Sequence, residues 1–260
     1  MTSSTDTVAA STARAEIGVI GGSGFYEFLS DAERVTISTP FGEPSDDVVI
    51  GDLEGRRVAF LARHGQHHRF PPHRVNYRAN LWALRSIGVR QVLAPCAVGS
   101  LKPENGPGTI VVPDQVVDRT WGRGHTVYDG IGPVVHVAFA DPYCPRGRKV
   151  AIDACRAAGM SVVDAGTLVV INGPRFSSSA ESLWHQQAGW TVVGMTGMPE
   201  ASIARELAMC FTTLALVTDH DAGVGGGEAV THADVLRVFA RSLDGWNAFL
   251  RSAAAWMPAA

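Results

Sequence analysis

The 260-residue chain has little net charge, few cysteines and no long apolar run. Each shortage removes a class of function. Basic residues number 22 against 25 acidic ones, a formal net charge of −3. No basic stripe stands out against that balance, so a nucleic-acid partner is not expected. No apolar stretch reaches the roughly 18 residues that cross a bilayer, so no membrane partner is expected either. The N-terminus lacks the basic-then-apolar pattern of a secretory leader. The four cysteines, Cys96, Cys144, Cys155 and Cys210, include no C-x-x-C pair, which argues against a zinc knuckle or a redox motif. Thiols scattered in this way fit a reducing, cytoplasmic setting.

What is present is apolar and well punctuated. Hydrophobic residues make up 46% of the chain and charged ones 18%, enough to bury one large core. The first 16 residues, MTSSTDTVAASTARAE, are small, polar and aperiodic. They are expected to form a loose tail ahead of a single domain spanning residues 17–257. Apolar runs at 16–20, 48–52, 57–62, 91–94, 109–112, 134–139, 167–171, 191–195 and 211–218 read as strands. Leu53-Glu54-Gly55 joins two of them as a hairpin. Helices are expected over 77–87, 145–158, 179–188 and 200–209. A last, longest helix is capped by Thr231 and carries one apolar stripe through Val235, Val238, Phe239, Leu243, Trp246 and Leu250. Alternating strands and helices predict an α/β fold: one mixed central β-sheet flanked by helices on both faces.

Polar or glycine-rich motifs follow the strands, at the place where open α/β sheets hold ligands. Gly21-Gly22-Ser23-Gly24 can turn backbone N–H groups toward an anion. It has Glu27 where a dinucleotide fingerprint needs its third glycine, and it lacks the lysine of a P-loop. It also reads as an ordinary tight turn. Arg63-His64-Gly65 offers a guanidinium that can grip an oxyanion, or that can simply sit in a surface ion pair. His64, His67, His68 and His73 lack a helical i, i+4 pair with a nearby acidic partner, and Pro71-Pro72 interrupts them, so they read as cleft-lining loop histidines and no metal site is assigned. Ala97-Val98-Gly99-Ser100 allows close approach to the backbone, by a ligand or by a packed helix. Gly173-Pro174-Arg175-Phe176-Ser177 and the segment from Met195 through Thr196 to Glu200 each join apolar surface to hydroxyls or a charge. No G-x-S-x-G elbow is present for a serine hydrolase. Asp219-His220-Asp221 ends an apolar strand. Two carboxylates two residues apart point the same way on extended backbone, and could share a metal, move a proton, hold an amino group or cap a turn.

Taken in order, IGVIGGSGFY, TPFGEPS, ARHGQHHRFPPHRVNYRANLWAL, GSLKPENGPGTIVVPDQVVDRT, DPYCP, INGPRFSSSAES, MTGMPEASIAREL and TDHD resemble the trimeric purine nucleoside phosphorylase family, and most of all its 5′-methylthioadenosine phosphorylase branch. The resemblance implies a homotrimer that cleaves the N-glycosidic bond of a purine nucleoside with inorganic phosphate as co-substrate, without metal or organic cofactor. It implies a phosphate site of Ser23, Arg63, His64, a turn at Cys96–Ala97, and Thr196. It implies a nucleoside site of Phe176, Ser177, Met195, Asp219, Asp221 and His232, with His68 and His136 near a pocket completed by a neighbouring subunit. In this reading Asp219 is the general acid that protonates the leaving purine at N7, and Asp221 accepts from a 6-amino group. The expected reaction is 5′-methylthioadenosine to adenine and 5-methylthioribose 1-phosphate. The alternative is a broader phosphorylase of adenosine, inosine or another 5′-substituted deoxyadenosine. Two departures bear on that choice: Cys96 stands where the branch often has threonine, and His232 where it has a small apolar residue. A nucleoside-binding protein without catalysis and a dinucleotide-dependent oxidoreductase are the readings from other classes. The first has no use for a phosphate site, and the second lacks its glycine.

Overall fold

The structure, a computed structural model, describes residues 13–22, 29–130, 132, 134–224, 237–238 and 241–257. Eleven strands form one mixed sheet. They are β1 (Ile17–Gly21), β2 (Ser30–Val35), β3 (Val48–Leu53), β4 (Arg56–Ala62), β5 (Gln91–Ser100), β6 (Ile110–Val111), β7 (Gln115–Arg119), β8 (Val162–Val163), β9 (Thr167–Ile171), β10 (Val192–Gly194) and β11 (Cys210–His220). The main path runs β2-β3-β4-β1-β5-β10-β9-β7, while β11 pairs with β5 and β6, and β6 with β8. Among the described residues the α-helices that accompany it are α1 (Tyr77–Ser86), α2 (Pro145–Ala157), α3 (Ser179–Gln187), α4 (Gly197–Glu206) and α5 (Leu243–Trp256).

Side-chain alternation along the strands explains the layers. Ile20, Ala59, Leu61, Val92 and Ala94 join Leu81, Leu84 and Ile203 of α1 and α4 in one core. Their neighbours Val19, Val58, Phe60 and Leu93 join Ile152, Trp246 and Phe249 of α2 and α5 in another. A period of two therefore feeds both faces of the sheet, which is why its central strands are continuously apolar.

The centre of the sheet is β5. Along one edge it runs parallel to β11 for its whole length, Gln91 opposite Cys210 through Ser100 opposite His220. Its other edge is shared. There β1 covers Gln91–Leu93 and β10, antiparallel, covers Gly99 and Ser100. No strand among the described residues pairs with that edge from Ala94 to Val98. A β-bulge interrupts the β5–β11 ladder: Val217 faces Val98, and the next partner pair is Asp219 with Gly99, so Thr218 is the extra residue.

Several expectations need correction. Cys96 and Ala97 do not form a turn; they lie inside β5. Pro95, which lacks an N–H, does not end the strand. The carbonyl of Pro95 accepts from Arg63 Nη1 at 2.9 Å. The N–H and C=O of one strand residue share an edge, so the missing donor falls on the open side and not against β11. Residues 134–139 form no strand; Val134, Val135 and His136 are exposed irregular chain. Helix α4 begins at Gly197, but Met198 is extended ahead of Pro199, as the residue before a proline prefers, so regular helix starts close to Glu200. Edge strands β2 and β7 were not foreseen, since half-exposed edges carry polar residues and lose the apolar signal. Cys144 and Cys210 are joined in a disulfide across 66 residues, with Cα atoms 5.1 Å apart. Free thiols therefore no longer argue for a reducing compartment. Of the segment assigned to a tail, residues 1–12 lie outside the described residues. Ala15 is buried and donates to Ile87 O, and Glu16 pairs with Arg56 at 2.5 Å, so the chain is already attached there. No described helix is long and apolar enough to cross a membrane.

The lower core gives a stability test. Phe249 is fully buried and meets Trp246 edge-on at 5.6 Å. Phe249→Ala should lower unfolding free energy by about 3–5 kcal/mol in a urea titration.

Candidate active site

The open edge of β5 borders a cavity of about 500 Å³, within the range of small-molecule sites. It collects most of the motifs singled out from the sequence. Arg63, His64, His68, Cys96, Ala97, Phe176, Ser177, Met195, Thr196, Asp219 and Asp221 all line it. Ser23 and His232 lie outside the described residues. His136 is exposed and is not among the lining residues of its own chain.

At one end sits Arg63, the residue after β4, reaching past the end of β1 to the middle of β5. Its Nη2 donates to Ile20 O at 2.9 Å and its Nη1 to Pro95 O at 2.9 Å. Nε and Nη2 also donate to the two oxygens of Glu200 at 2.6 and 3.0 Å. Both partners are buried, Arg63 at 3% and Glu200 at 0% exposure. Burial alone would lower the Arg63 pKa, but the charge and hydrogen bonds of Glu200 outweigh it and hold the guanidinium charged. Four of the five N–H groups of Arg63 are thus committed within the protein, leaving one on Nη1 for a ligand. The sequence left an oxyanion grip or a surface ion pair open for Arg63; the structure gives a buried guanidinium fixed by a bidentate carboxylate. Glu200 was missed as a functional residue. Its only signal was a lone charge after Pro199 in an otherwise apolar helix start.

His64 and Cys96 at this end are uncharged. Burial, followed by the charge of Arg63, pushes the His64 pKa down to about 3. Its Nδ1 lies 2.8 Å from Phe70 O. A carbonyl only accepts, so Nδ1 carries the proton and Nε2 is an acceptor. His68 stacks on His64 with centroids 4.1 Å apart. Burial pushes the Cys96 thiol up to about 12, so it stays protonated beside Arg63. Thr196 precedes α4, yet its side chain makes no capping bond, which leaves the hydroxyl for the cavity.

At the opposite end the bulge in β11 brings Asp219 and Asp221 onto Gly99. A Cβ at Gly99 would lie 3.2 Å from Asp219 Oδ2 and 3.3 Å from Asp221 Cβ, so both acids depend on the missing side chain. Thr218 Oγ1 donates to Asp219 Oδ1 at 2.6 Å and fixes the carboxyl plane. Asp221 N donates to Ser100 O, which anchors the chain just past the strand. Asp221 Oδ2 and Ser177 Oγ are buried without a hydrogen-bond partner among the described residues. Buried polar atoms are normally satisfied, so the pair marks where a ligand's polar edge belongs. Ser177 is held by the capping box that opens α3, in which Ser178 and Glu181 bond reciprocally. Half-exposed Phe176 forms part of the mouth.

The arrangement has one cationic, donor-bearing end and one acceptor-rich end with apolar wall between. The chain matches the phosphorylase superfamily over residues 16–254. A purine nucleoside phosphorylase of Streptomyces coelicolor is 59% identical over 257 residues, covering 96% of this chain and 92% of the relative. An S-methyl-5′-thioadenosine phosphorylase of Mycolicibacterium smegmatis is 58% identical over 229 residues, with 87% and 85% covered. A methylthioadenosine phosphorylase structure from an antarctic soil metagenomic library superposes with TM-score 0.88 at 43% identity, over 93% of this chain and 86% of that one. The methylthioadenosine phosphorylase of Schistosoma mansoni in complex with adenine gives 0.88 at 37% identity, over 93% and 91%. With a fold, a divided cavity and relatives that agree, the chain belongs to the phosphorylase superfamily, in the methylthioadenosine branch of its purine nucleoside phosphorylases.

Proposed function

We propose that the protein cleaves 5′-methylthioadenosine with inorganic phosphate, releasing adenine and 5-methylthioribose 1-phosphate. The observation that carries this reading is the polarity of one cavity: Arg63 and Thr196 at one end, and Asp219 with an unpartnered Asp221 Oδ2 at the other.

Phosphate takes the Arg63 end. The remaining N–H of Arg63 and the Thr196 hydroxyl donate to it, and the open β5 edge supplies the backbone N–H of Ala97, next to Cys96. His64 Nε2 accepts from the one hydroxyl of hydrogen phosphate. Met195 packs against the ribose and Phe176 faces the nucleoside. A phosphate oxygen forms a bond to C1′ as the C1′–N9 bond breaks, and the bonding pair passes into the purine. Asp219 gives its proton to N7, so the base leaves neutral. The anion below the sugar stabilises the positive charge that develops on it. Atoms and charge balance with phosphate as nucleophile and Asp219 as acid, so the step calls for no metal or organic cofactor. Asp221 accepts from the 6-amino group, which favours adenine over a 6-oxo base.

The name of the Streptomyces coelicolor relative, a purine nucleoside phosphorylase at 59% identity, is consistent with the broader reading, a phosphorylase of adenosine, inosine or another 5′-substituted deoxyadenosine. His232 belongs to that question through the 5′ substituent. The sugar phosphate product is a dianion that membranes retain, which fits a cytoplasmic enzyme. A homotrimer fits the exposure of Trp121, Tyr128, Val134 and Val135, large apolar side chains on the segment between β7 and α2 that also carries His136 and that a neighbouring copy would cover. In that assembly His136 would serve the site of the next subunit. Residues 17–257 would act as one phosphorylase domain.

Adenine release from methylthioadenosine should require phosphate; equal release in its absence overturns the reading. Asp219→Asn should lower kcat by about 10²–10⁴-fold. Asp221→Asn should lower the ratio of kcat/KM for adenosine over inosine, and an unchanged ratio removes Asp221 from base recognition. Light scattering should give about three times the 27.6 kDa chain mass.

A further inference from the structure

Arg123 lies outside every motif considered above, on irregular chain after β7, yet it is buried at 8% exposure. Its guanidinium uses all five of its N–H groups, and every acceptor is neutral. Nε donates to Asn172 Oδ1 at 3.3 Å, and Nη2 donates to Asn172 O and Met195 O, both at 2.9 Å. Nη1 donates to Met198 O at 2.5 Å and to Tyr77 Oη at 3.1 Å. The Tyr77 hydroxyl in turn donates to Pro72 O at 2.7 Å.

These acceptors belong to three separate walls of the cavity. Asn172 opens the loop that carries Phe176 and Ser177. Met195 and Met198 bracket Thr196. Pro72 sits beside His68. The first two walls already touch: a Cβ at Gly173, where φ is +62°, would lie 2.6 Å from Met195 Sδ. The β9–β10 ladder ends with Val170 opposite Gly194; beyond it the segments leave the sheet, and one planar, five-donor fork ties them to each other and to Pro72.

We propose that Arg123 is a positioning residue for phosphorolysis: by tying the Asn172, Met195–Met198 and Pro72 walls together, it sets the distance between the sugar-holding loops and the phosphate held at Arg63. The inference rests on the phosphorolytic reading of the cavity and deepens it. Asp219 and Asp221 are carried by β11 and its end, which Arg123 does not touch. Loss of Arg123 therefore disturbs alignment of ribose and phosphate while leaving the two acids that hold the base in place.

The test separates these two ends. Arg123→Lys keeps the charge but cannot reproduce five directed bonds. It should lower kcat by about 10–100-fold, the cost of a misplacement near 1 Å, while adenine affinity, read by tryptophan fluorescence, changes by less than about 2-fold. In Arg123→Ala, added guanidinium at low millimolar concentration should restore part of kcat. A kcat within about 3-fold of wild type in Arg123→Lys overturns the proposal, as does loss of adenine affinity in step with kcat, which marks a general packing role. Should both Arg123 variants fail to fold, Tyr77→Phe removes one acceptor and keeps the ring. A fall in its kcat with adenine affinity unchanged supports the proposal, and an unchanged kcat overturns it. Wild-type protein that releases no base with phosphate refutes the reading of the whole cavity before any variant is made. Wild-type activity with indifferent variants refutes only the role of Arg123.

Discussion

The unequal pairing of β5 governs the rest of the structure. One edge is locked to β11 over ten partner pairs, so the strand is straight, central and buried. The other edge is covered at both ends and bare between Ala94 and Val98. A backbone edge left bare inside a protein must find polar company. Arg63 reaches Pro95 there, and the remaining length faces the cavity. The site is in this sense a gap in a sheet, placed where β1 and β10 diverge, which is the switch point at which α/β sheets hold their ligands.

Two buried guanidiniums flank that gap and are treated differently. Arg63 is matched by a carboxylate in bidentate contact, which fixes its orientation to within a hydrogen bond. Removing Glu200 would leave an uncompensated charge in the interior, a change that typically costs about 3–5 kcal/mol. Arg123 is satisfied by carbonyls and oxygens that bear no charge, so its own charge remains to act at a distance; it contributes, after burial and Arg63, to keeping His64 neutral. The pocket thus favours an anion without presenting it with a loose cation.

The parts of this molecule that repeat were legible in the sequence, and the parts that depend on a single distant partner were not. The apolar runs of β1, β4, β9 and β11 and the stripes of α1 and α2 are periodic, and period is a local property. Asp219 and Asp221 were legible because a charged pair closing a buried strand is locally odd. Glu200 and Arg63 are 137 residues apart, and Cys144 and Cys210 are 66 apart. Nothing in the neighbourhood of either partner announces the other. Residues 134–139 mislead for the opposite reason: they are as apolar as a strand, but Val134 is 80% exposed and the stretch has no ladder to join. Composition supplies the appetite for burial and says nothing about who provides it. Arg123, set between two glycines, carries no local mark of being interior.

The single extra residue in β11 has a consequence for how this site tolerates change. Up to Val217 the odd-numbered residues of the strand point toward the α1–α4 layer, and the ladder then skips a step at Thr218. A replacement at that position alters one hydroxyl. A deletion there would keep Asp219 opposite Gly99 but straighten the strand, removing the bend and extra twist that aim both acids into the cavity. In this stretch arithmetic outranks chemistry, and length variation should be far rarer among working descendants of the sequence than substitution.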